Sequence, residues 1–384
     1  MLERLLRWLG SRFELRRHGQ DQNLASMEGL RGLAVFLVFL VHFGSAVSTL
    51  LPAHSLGMRA AEAFGMFGHV GVDLFFVISG YLIYGALIGR HRRFWPYMRR
   101  RLQRIYPAFL VVFAIYLVLS WVMPSQSKLP QGTAEALRYI LWNVLLLPGI
   151  FTIEPLITVA WSLSYELFYY LIIPLVISVF RLRAWSRSAR VTFFLLIAFG
   201  IAAFCAVHGG PVQLIMFVSG ILLAEAIRSN HHFSIQPLAV WCVVGMAVAI
   251  TMLRSGGHAG FALRTAALFI AFFLLCHTCF SQSRGVTTRA FSWTPMRWLG
   301  NMSYSYYLIH GLALKFVFWA MYLLWPKMEV GTGAAAGLLA VCFFLTLLPS
   351  AALFLLVERP LSLDVRAADY RVGGATALHQ TGKP

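Results

Sequence analysis

Long apolar stretches recur along the whole chain, and they constrain its fold more than any other feature. Each reaches roughly the 20 residues that a helix needs to cross about 30 Å of hydrocarbon. Only 12% of the 384 residues are charged, too few to cover a soluble domain of this size with a solvated surface. Strict two-residue alternation is absent, which argues against a membrane β-barrel. The sequence therefore predicts an all-α polytopic membrane protein.

Basic side chains give each apolar stretch a direction, because arginine and lysine mark cytoplasmic loops. They cluster in the N-terminal arm, in alternate connections and in the C-terminal tail, whereas the intervening connections carry few. This alternation predicts about ten spans, with both termini in the cytoplasm and the chain in the cytoplasmic membrane. The predicted spans are 28–48, 66–89, 105–123, 159–180, 191–208, 212–229, 237–253, 264–281, 298–324 and 333–357.

The stretch 138–152 does not fit this alternation. It is short, it ends at Pro148 and Gly149, and counting it as a span would place the next basic cluster outside. We predict a re-entrant or interfacial segment, which is tolerated at membrane depth where protein buries it or where it lines a cavity. The domain prediction is a basic cytoplasmic arm over 1–23, one integral-membrane domain over 24–360, and a short polar cytoplasmic tail over 361–384.

The net charge of +18 could indicate a nucleic-acid partner. Binding of that kind needs an aqueous basic domain, and none is predicted, so we expect membrane lipid and no nucleic acid as partner. The cysteines lie singly in or beside apolar segments, which argues against a disulfide framework. A helix would spread the groups of Cys276-His277-Thr278-Cys279 over different directions, so no metal site is predicted.

Ionisable side chains inside the predicted spans are the candidate functional residues. Each costs about 2.5–3.5 kcal/mol on insertion scales, and each therefore needs a buried partner or a function. They are Arg31, His42, Asp73, Glu166, Glu225, His277, His310 and Lys315.

Arg31 and His42 are eleven positions apart, about three helical turns, so they share one helix face about 16 Å apart along the axis. Arg31 would lie near the cytoplasmic mouth and His42 deeper. A ligand with an anionic head and a long arm ending in a reactive group suits this arrangement, and acyl-CoA has that shape. A neutral imidazole could take the proton of an acceptor hydroxyl. The alternative is structural: His42 hydrogen-bonds another helix, and Arg31 reaches the membrane surface.

Arg101 and Arg104 lie at i, i+3 in the basic loop before the third span. Guanidinium groups match phosphate geometry, so these two could bind the phosphates of CoA. The alternative is a positive-inside anchor, or contact with anionic lipid.

Three further segments supply candidate acids, bases and supporting groups. Trp161-Ser162-Leu163-Ser164-Tyr165-Glu166 begins the fourth span, and Glu166 could orient His42 or an acceptor hydroxyl, or else form a buried ion pair with an arginine. Asp73 is either functional or structural. His310 is a single histidine near midspan, which could contact substrate or be a hydrogen-bonded core residue.

The order of these motifs resembles the bacterial membrane acyltransferase-3 family, typified by polysaccharide O-acetyltransferases. The matching segments cover about 24–360. They are Arg31-Gly32 through His42, Gly71 to Gly80, Arg101-Leu102-Gln103-Arg104, Trp161 to Tyr170, Ser303 to His310, and Val357-Glu358-Arg359-Pro360.

The resemblance implies a ten-helix core and acyl-CoA, by family frequency acetyl-CoA, as cytoplasmic donor. It implies His42 and Arg31 as essential residues, with Arg101, Arg104 and Glu166 in support. Leu167 stands where the family often has a second acid, so a paired-carboxylate mechanism is not predicted.

We therefore expect an O-acyltransferase acting on a hydroxyl of a carbohydrate or envelope glycan, possibly lipid-linked, without a metal. Three alternatives stay open: a transient acyl group on His42, delivery of the acyl group to a separate periplasmic transferase, and a transporter or flippase for a lipid-linked sugar or acyl intermediate. The absence of repeated halves with matching broken helices speaks against a transporter.

Overall fold

Helices form nearly all of the regular structure in the computed structural model, which describes residues 2–15, 22–229, 235–253, 256–281, 285–326 and 328–364. Within these ranges no β-strand is present, only one isolated bridge between Pro148 and Phe151. The helices are α1 (Leu2–Phe13), α2 (Gln22–Val47), α3 (Leu56–Phe67), α4 (Val70–Ile88), α5 (Phe94–Val122), α6 (Thr133–Val144), α7 (Trp161–Val179), α8 (Arg187–His208), α9 (Ile215–Arg228), α10 (Pro237–Thr251), α11 (Gly257–Ser281), α12 (Val286–Phe291), α13 (Thr294–Asn301), α14 (Ser303–Leu324) and α15 (Thr332–Leu353), which continues as a π-helical segment (Phe354–Asp364).

A helix occupies each of the ten predicted spans, which confirms the all-α polytopic class. In the described ranges, eight segments are long and apolar enough to cross a membrane. They are Ala25–Leu50, Leu56–Ile88, Phe94–Val122, Thr158–Val179, Arg187–His208, Gly257–Ser281, Ser303–Leu324 and Thr332–Asp364.

The helices α9 and α10 are shorter than predicted, with 14 and 15 residues. Residues Val212–Leu214 form a separate 3-10 turn after Pro211, so α9 begins at Ile215. α10 ends at Thr251. Residues 254 and 255 of the predicted connection lie outside the described residues, and α11 already begins at Gly257, before the predicted start at 264.

The residues that flank α8 at its two ends explain where the helix begins and ends. The Ser186 hydroxyl accepts a hydrogen bond from the Ala189 amide and thereby caps the first turn. Gly209 ends the helix at a φ of +76°, a conformation that glycine adopts without steric cost. Between these ends, large apolar side chains such as Leu196 and Phe199 are 65% and 72% exposed, as expected for a helix facing lipid.

Glycines allow α4 and α9 to pack backbone against backbone. A Cβ added at Gly80 would lie 2.1 Å from the Phe217 carbonyl oxygen, and one at Gly220 would lie 2.0 Å from the Val77 carbonyl oxygen. Small residues at such crossings are typical of membrane helix pairs. By contrast, nothing lies within 4 Å of a Cβ at Gly65.

α2 occupies the interior of the bundle, where it packs against α4, α11, α13 and α14. Its first half lies against α13 so closely that a Cβ at Gly300 would overlap the carbonyl of Glu28. The Glu28 carboxylate also pairs with Arg297 of α13, with 3.1 Å between Oε2 and Nε. α2 is thereby fixed in place along the half that carries Arg31.

α6 and the irregular segment after it occupy the predicted re-entrant or interfacial region. α6 has 12 residues, too few to cross a bilayer. Asn143 organises the segment: its Nδ2 donates to the Tyr139 carbonyl at 3.1 Å, and its Oδ1 accepts from the Leu156 amide at 2.7 Å. The Tyr106 hydroxyl ties α6 to α5 by donating to the Val144 carbonyl.

The predicted N-terminal arm contains a helix, α1, that docks on the end of the bundle. The Phe13 ring stacks on Phe354 at a centroid distance of 5.7 Å, and the Asn301 amide donates to the Phe13 carbonyl at 3.0 Å. Arg297 pairs with Glu14 at 3.3 Å. Of the predicted tail, residues 365–384 lie outside the described residues, as do 16–21 of the arm.

Candidate functional site

Polar side chains on the first half of α14 connect this helix to its neighbours. The Ser303 hydroxyl accepts from Arg31 of α2, and the Tyr304 hydroxyl donates to the Ile105 carbonyl of α5 at 2.7 Å. The Tyr307 hydroxyl lies 2.7 Å from the Ser162 hydroxyl of α7. Successive residues of a helix point about 100° apart, so consecutive side chains reach different neighbours. α14 is therefore the element that brings the candidate residues together.

His42 of α2 faces His310 of α14. Their ring centroids are 5.0 Å apart, and the ring planes are inclined by 68°. His310 is fully buried, and its Nδ1 lies 2.9 Å from the Tyr306 carbonyl oxygen and 3.0 Å from the Tyr307 carbonyl oxygen. Because a carbonyl oxygen can only accept, Nδ1 carries the proton and Nε2 has a free lone pair. No hydrogen-bond partner for Nε2 exists among the described residues.

Arg31 and His42 contact the same helix at two levels. The Arg31 Nη2 donates to the Ser303 hydroxyl at 2.9 Å, at the start of α14, and His42 meets His310 two turns later. Both side chains of α2 thus face α14, as the eleven-residue spacing indicates. His69 and Lys315 are the other ionisable groups within electrostatic range of His42.

Glu166 lies in a different cluster. The Tyr170 hydroxyl donates a short hydrogen bond to its Oε1, and the Ser79 hydroxyl lies 3.4 Å from the same oxygen. The Arg101 guanidinium stacks over the Tyr170 ring at 5.0 Å and over the Tyr97 ring at 5.3 Å. No hydrogen bond joins Glu166 to His42 among the described residues. The structure therefore brings Glu166 together with Arg101 and not with the imidazole.

Arg104 forms a buried ion pair. Its Nη1 lies 2.5 Å from Oε1 of Glu358, a carboxylate with no exposed surface. The other carboxylate oxygen accepts from the Ser305 amide at 3.1 Å and from the Ser305 hydroxyl at 2.6 Å. The guanidinium also lies 5.5 Å above the Tyr304 ring. Glu358 therefore offsets the charge that was predicted to meet a CoA phosphate.

Asp73, Trp161 and Ser164 are buried or partly buried, and no hydrogen bond or ring contact in the described ranges joins them to His42. Asp73 lies in the first turn of α4. The Trp161 ring meets the Phe76 ring edge to face at 6.4 Å. The Ser164 hydroxyl approaches the Ala160 carbonyl of its own helix at 3.5 Å. These contacts give Trp161 and Ser164 packing roles, and a functional role for Asp73 stays a prediction.

Sequence reasoning missed three groups that the structure places at the site: Ser303, Tyr307 and Glu358. Hydroxyls at the start of a predicted span were a usable signal for the first two, because buried hydroxyls need partners. Glu358 belongs to the closing motif, but its partner Arg104 is 254 residues away, a separation that local patterns do not encode. Across the described ranges, no group of three His, Cys, Asp or Glu side chains converges as metal ligands would.

Comparison with known proteins places this architecture in a family. The sequence model of an acyltransferase domain, of the acyltransferase-3 type, matches residues 24–354. The peptidoglycan O-acetyltransferase OatA of Listeria monocytogenes is 26% identical over 323 residues, which are 74% of this chain and 48% of that protein. The O-acetyltransferase OatA of Staphylococcus aureus is 26% identical over 333 residues, 77% of this chain and 51% of that protein.

The putative peptidoglycan O-acetyltransferase YrhL of Bacillus subtilis is 27% identical over 335 residues, 75% of this chain and 48% of that protein. The chain thus spans about half the length of these curated relatives. No solved structure matches it. Because the domain model covers most of the sequence, the chain belongs to the acyltransferase-3 family.

Proposed function

We propose that this protein is a membrane-embedded O-acyltransferase that moves an acyl group, acetyl in the first instance, from cytoplasmic acyl-CoA to a hydroxyl of an envelope glycan. The observation that carries the proposal is the arrangement on α2. His42 meets a second imidazole inside the bundle, while Arg31 lies on the same face near the other end of the helix. A cation and a base separated in this way fit the two ends of an acyl-CoA.

The donor is proposed to lie along α2. Arg31 and Arg101 would contact its phosphates, because guanidinium groups bind phosphate oxygens in pairs. The thioester would then reach His42, about 16 Å further along the helix. Arg104 is assigned to the structural ion pair with Glu358, since its charge is already compensated.

The reaction needs one base. An imidazole is largely neutral at pH 7, so one nitrogen of His42 can take the proton of the acceptor hydroxyl as its oxygen attacks the thioester carbonyl. The tetrahedral intermediate collapses by breaking the C–S bond, and the CoA thiolate receives the proton from the imidazolium. The products are the acyl ester and free CoA. Trapping an acyl group on His42 in a single turnover would replace this scheme with a two-step transfer.

For the acceptor, the names of the relatives support a glycan of the cell envelope. The Listeria and Bacillus proteins are named as peptidoglycan O-acetyltransferases, the second as putative, so peptidoglycan is the first acceptor to test. The chain matches about half the length of each relative, and delivery of the acyl group to a separate periplasmic transferase is the alternative route. That route would be identified if the protein passed its acyl group to an added periplasmic transferase but not to glycan in the absence of that transferase.

Multi-pass insertion in a bacterial inner membrane, with both termini in the cytoplasm, is part of the proposal. Cysteines at two exposed positions, Glu154→Cys in the segment before α7 and Arg187→Cys at the start of α8, test the orientation in a background that lacks the exposed Cys242. A membrane-impermeant maleimide added to whole cells should label only the cysteine at 154. Labelling of only the cysteine at 187 would show that the orientation is the opposite of the one proposed.

The experiment is transfer of label from radioactive acetyl-CoA to envelope glycan in membranes that hold matched amounts of protein. His42→Ala should lower the rate by about 10²- to 10⁴-fold, the usual contribution of a general base. Arg31→Ala should mainly raise the KM for acetyl-CoA. His208→Ala, at the exposed end of α8, is the control and should match the native chain. Equal transfer by all four proteins would refute the assignment of His42. If the native chain transfers no label, the assignment of acetyl-CoA as the donor is refuted.

A further inference from the structure

The fold leaves one acceptor nitrogen of His310 without a partner in a fully buried position. The Nδ1 proton is held between the carbonyls of Tyr306 and Tyr307, so the ring can neither turn over nor present a donor from Nε2. No partner for Nε2 is found in the described ranges. A buried acceptor of this kind costs free energy comparable to a lost hydrogen bond, so it marks a place where a donor belongs.

Neighbouring hydroxyls are not available to this nitrogen. The Tyr306 ring stacks on His310 at 5.2 Å, but its hydroxyl pairs with Thr346 at 2.7 Å. The Tyr307 hydroxyl is engaged with Ser162 and with the Val159 carbonyl. The His42 ring is the remaining contact, with its centroid 5.0 Å from that of His310. The χ2 angle of histidine is a broad torsion, so a turn about it can direct a ring N–H of His42 toward Nε2.

We propose that His310 is the positioning residue for His42. It accepts the N–H of His42 at Nε2, and this hydrogen bond selects the tautomer whose other nitrogen presents its lone pair to the acceptor hydroxyl. The inference rests on the proposed function, in which His42 is the base. It goes beyond that function because it assigns the group that orients the base.

The proton balance is simple. Before the reaction, His42 has one N–H, directed at His310, and one lone pair. When the lone pair takes the hydroxyl proton, His42 becomes an imidazolium. The hydrogen bond from its N–H to Nε2 of His310 then shortens. The imidazolium then returns the acquired proton to the CoA thiolate, and His310 stays neutral throughout. A carboxylate fills the orienting role in serine hydrolases. Here Glu166, the acid predicted for that role, is hydrogen-bonded to Tyr170 instead.

Two substitutions separate this role from a structural one. His310→Asn keeps a donor at the position of Nδ1 but removes the acceptor at the position of Nε2. His310→Gln can place an amide oxygen near Nε2 but loses the donor to the carbonyls. Positioning through Nε2 predicts that His310→Asn lowers kcat by about 10- to 100-fold with little change in KM for acetyl-CoA, and that His310→Gln recovers most of the loss.

Better activity with asparagine would show that the Nδ1 bonds are what matter, and equal damage in both variants would show that an acceptor at the position of Nε2 restores nothing. Either result would overturn the inference. His277 supplies the matched control, because it is a buried histidine on α11, a helix that carries none of the proposed site residues. His277→Asn and His277→Gln should keep the native kcat per folded molecule.

A spectroscopic measurement tests the same point without turnover. In native protein with ¹⁵N-labelled histidine, the His42 nitrogen bound to hydrogen should show a coupling across the hydrogen bond to Nε2 of His310. In His310→Asn this coupling should vanish, and His42 should populate both tautomers. Absence of the coupling in the native protein overturns the inference even if transfer is active. A coupling in a protein that transfers no acyl group would instead refute the proposed function.

Discussion

The buried pair of Arg104 and Glu358 offers a quantitative test, because it decides between a structural and a donor-binding role for Arg104. The carboxylate is fully buried and holds both the guanidinium and the Ser305 amide and hydroxyl. Arg104→Met leaves that carboxylate without its cation, and Glu358→Met leaves the guanidinium without its anion. Removing one member of a buried pair costs about 3–5 kcal/mol.

The double variant Arg104→Met, Glu358→Met should be more stable than either single variant. No uncompensated charge remains, and the residual cost is that of the Ser305 amide and hydroxyl losing their acceptor, about 1–3 kcal/mol. Independent effects would instead add to about 6–10 kcal/mol. The free energy of unfolding, measured by reversible denaturation in mixed micelles, distinguishes these values, and an additive result would refute the pairing.

The same double variant tests donor binding. If Arg104 serves only the ion pair, the folded double variant should keep its KM for acetyl-CoA within about twofold. The reason is that both proposed phosphate contacts, Arg31 and Arg101, remain in that variant. The single variant Arg101→Met, which removes a proposed contact, is the comparison and should raise that KM. A raised KM in the double variant but not in Arg101→Met would return the phosphate contact to Arg104.

Two further predictions concern packing and charge in the bundle. Gly80→Ala should destabilise the protein by more than about 1 kcal/mol, because the new methyl group meets the Phe217 carbonyl. Gly65→Ala has open space and should be neutral or stabilising by about 0.5–1 kcal/mol. Thermal unfolding in detergent measures both effects. Glu225→Gln should lower the free energy of unfolding by about 3–5 kcal/mol, because the Glu225 side chain is 1% exposed and binds a guanidinium through both oxygens. Glu154→Gln alters a carboxylate that is 64% exposed and should lower it by less than about 1 kcal/mol in the same assay. Equal shifts within either pair of variants would contradict the argument.

Much of the fold could be predicted from the sequence because lipid imposes a simple rule. A segment that crosses hydrocarbon must satisfy its backbone internally and present apolar side chains, so hydropathy locates the helices. The rule fails where protein replaces lipid as the neighbour. α9 is 14 residues long with twelve of them buried, so packing and a preceding turn set its start. The docking of α1 through Phe13 depends on partners about 290–340 positions away, which local patterns do not encode.

The candidate site was predictable to the extent that it lies on one helix. The spacing of Arg31 and His42 fixes a shared face, and the structure brings both to α14. The pairing of His42 with His310 joins two helices, and a single sequence carries no signal for that distance. The assignment of Arg104 met the same difficulty, because its partner Glu358 lies on another helix. Glu166 binds Tyr170 of its own helix, and its contact with Ser79 joins α7 to α4.

The bond between Arg31 and Ser303 closes a separation of 272 residues. A polypeptide that enters the membrane from its N-terminus therefore holds α2 in place for most of its synthesis before α14 emerges. During that interval His42 lacks His310, and Arg31 lacks Ser303. The proposed site is consequently incomplete until the last helices insert, so that its assembly coincides with the completion of biogenesis.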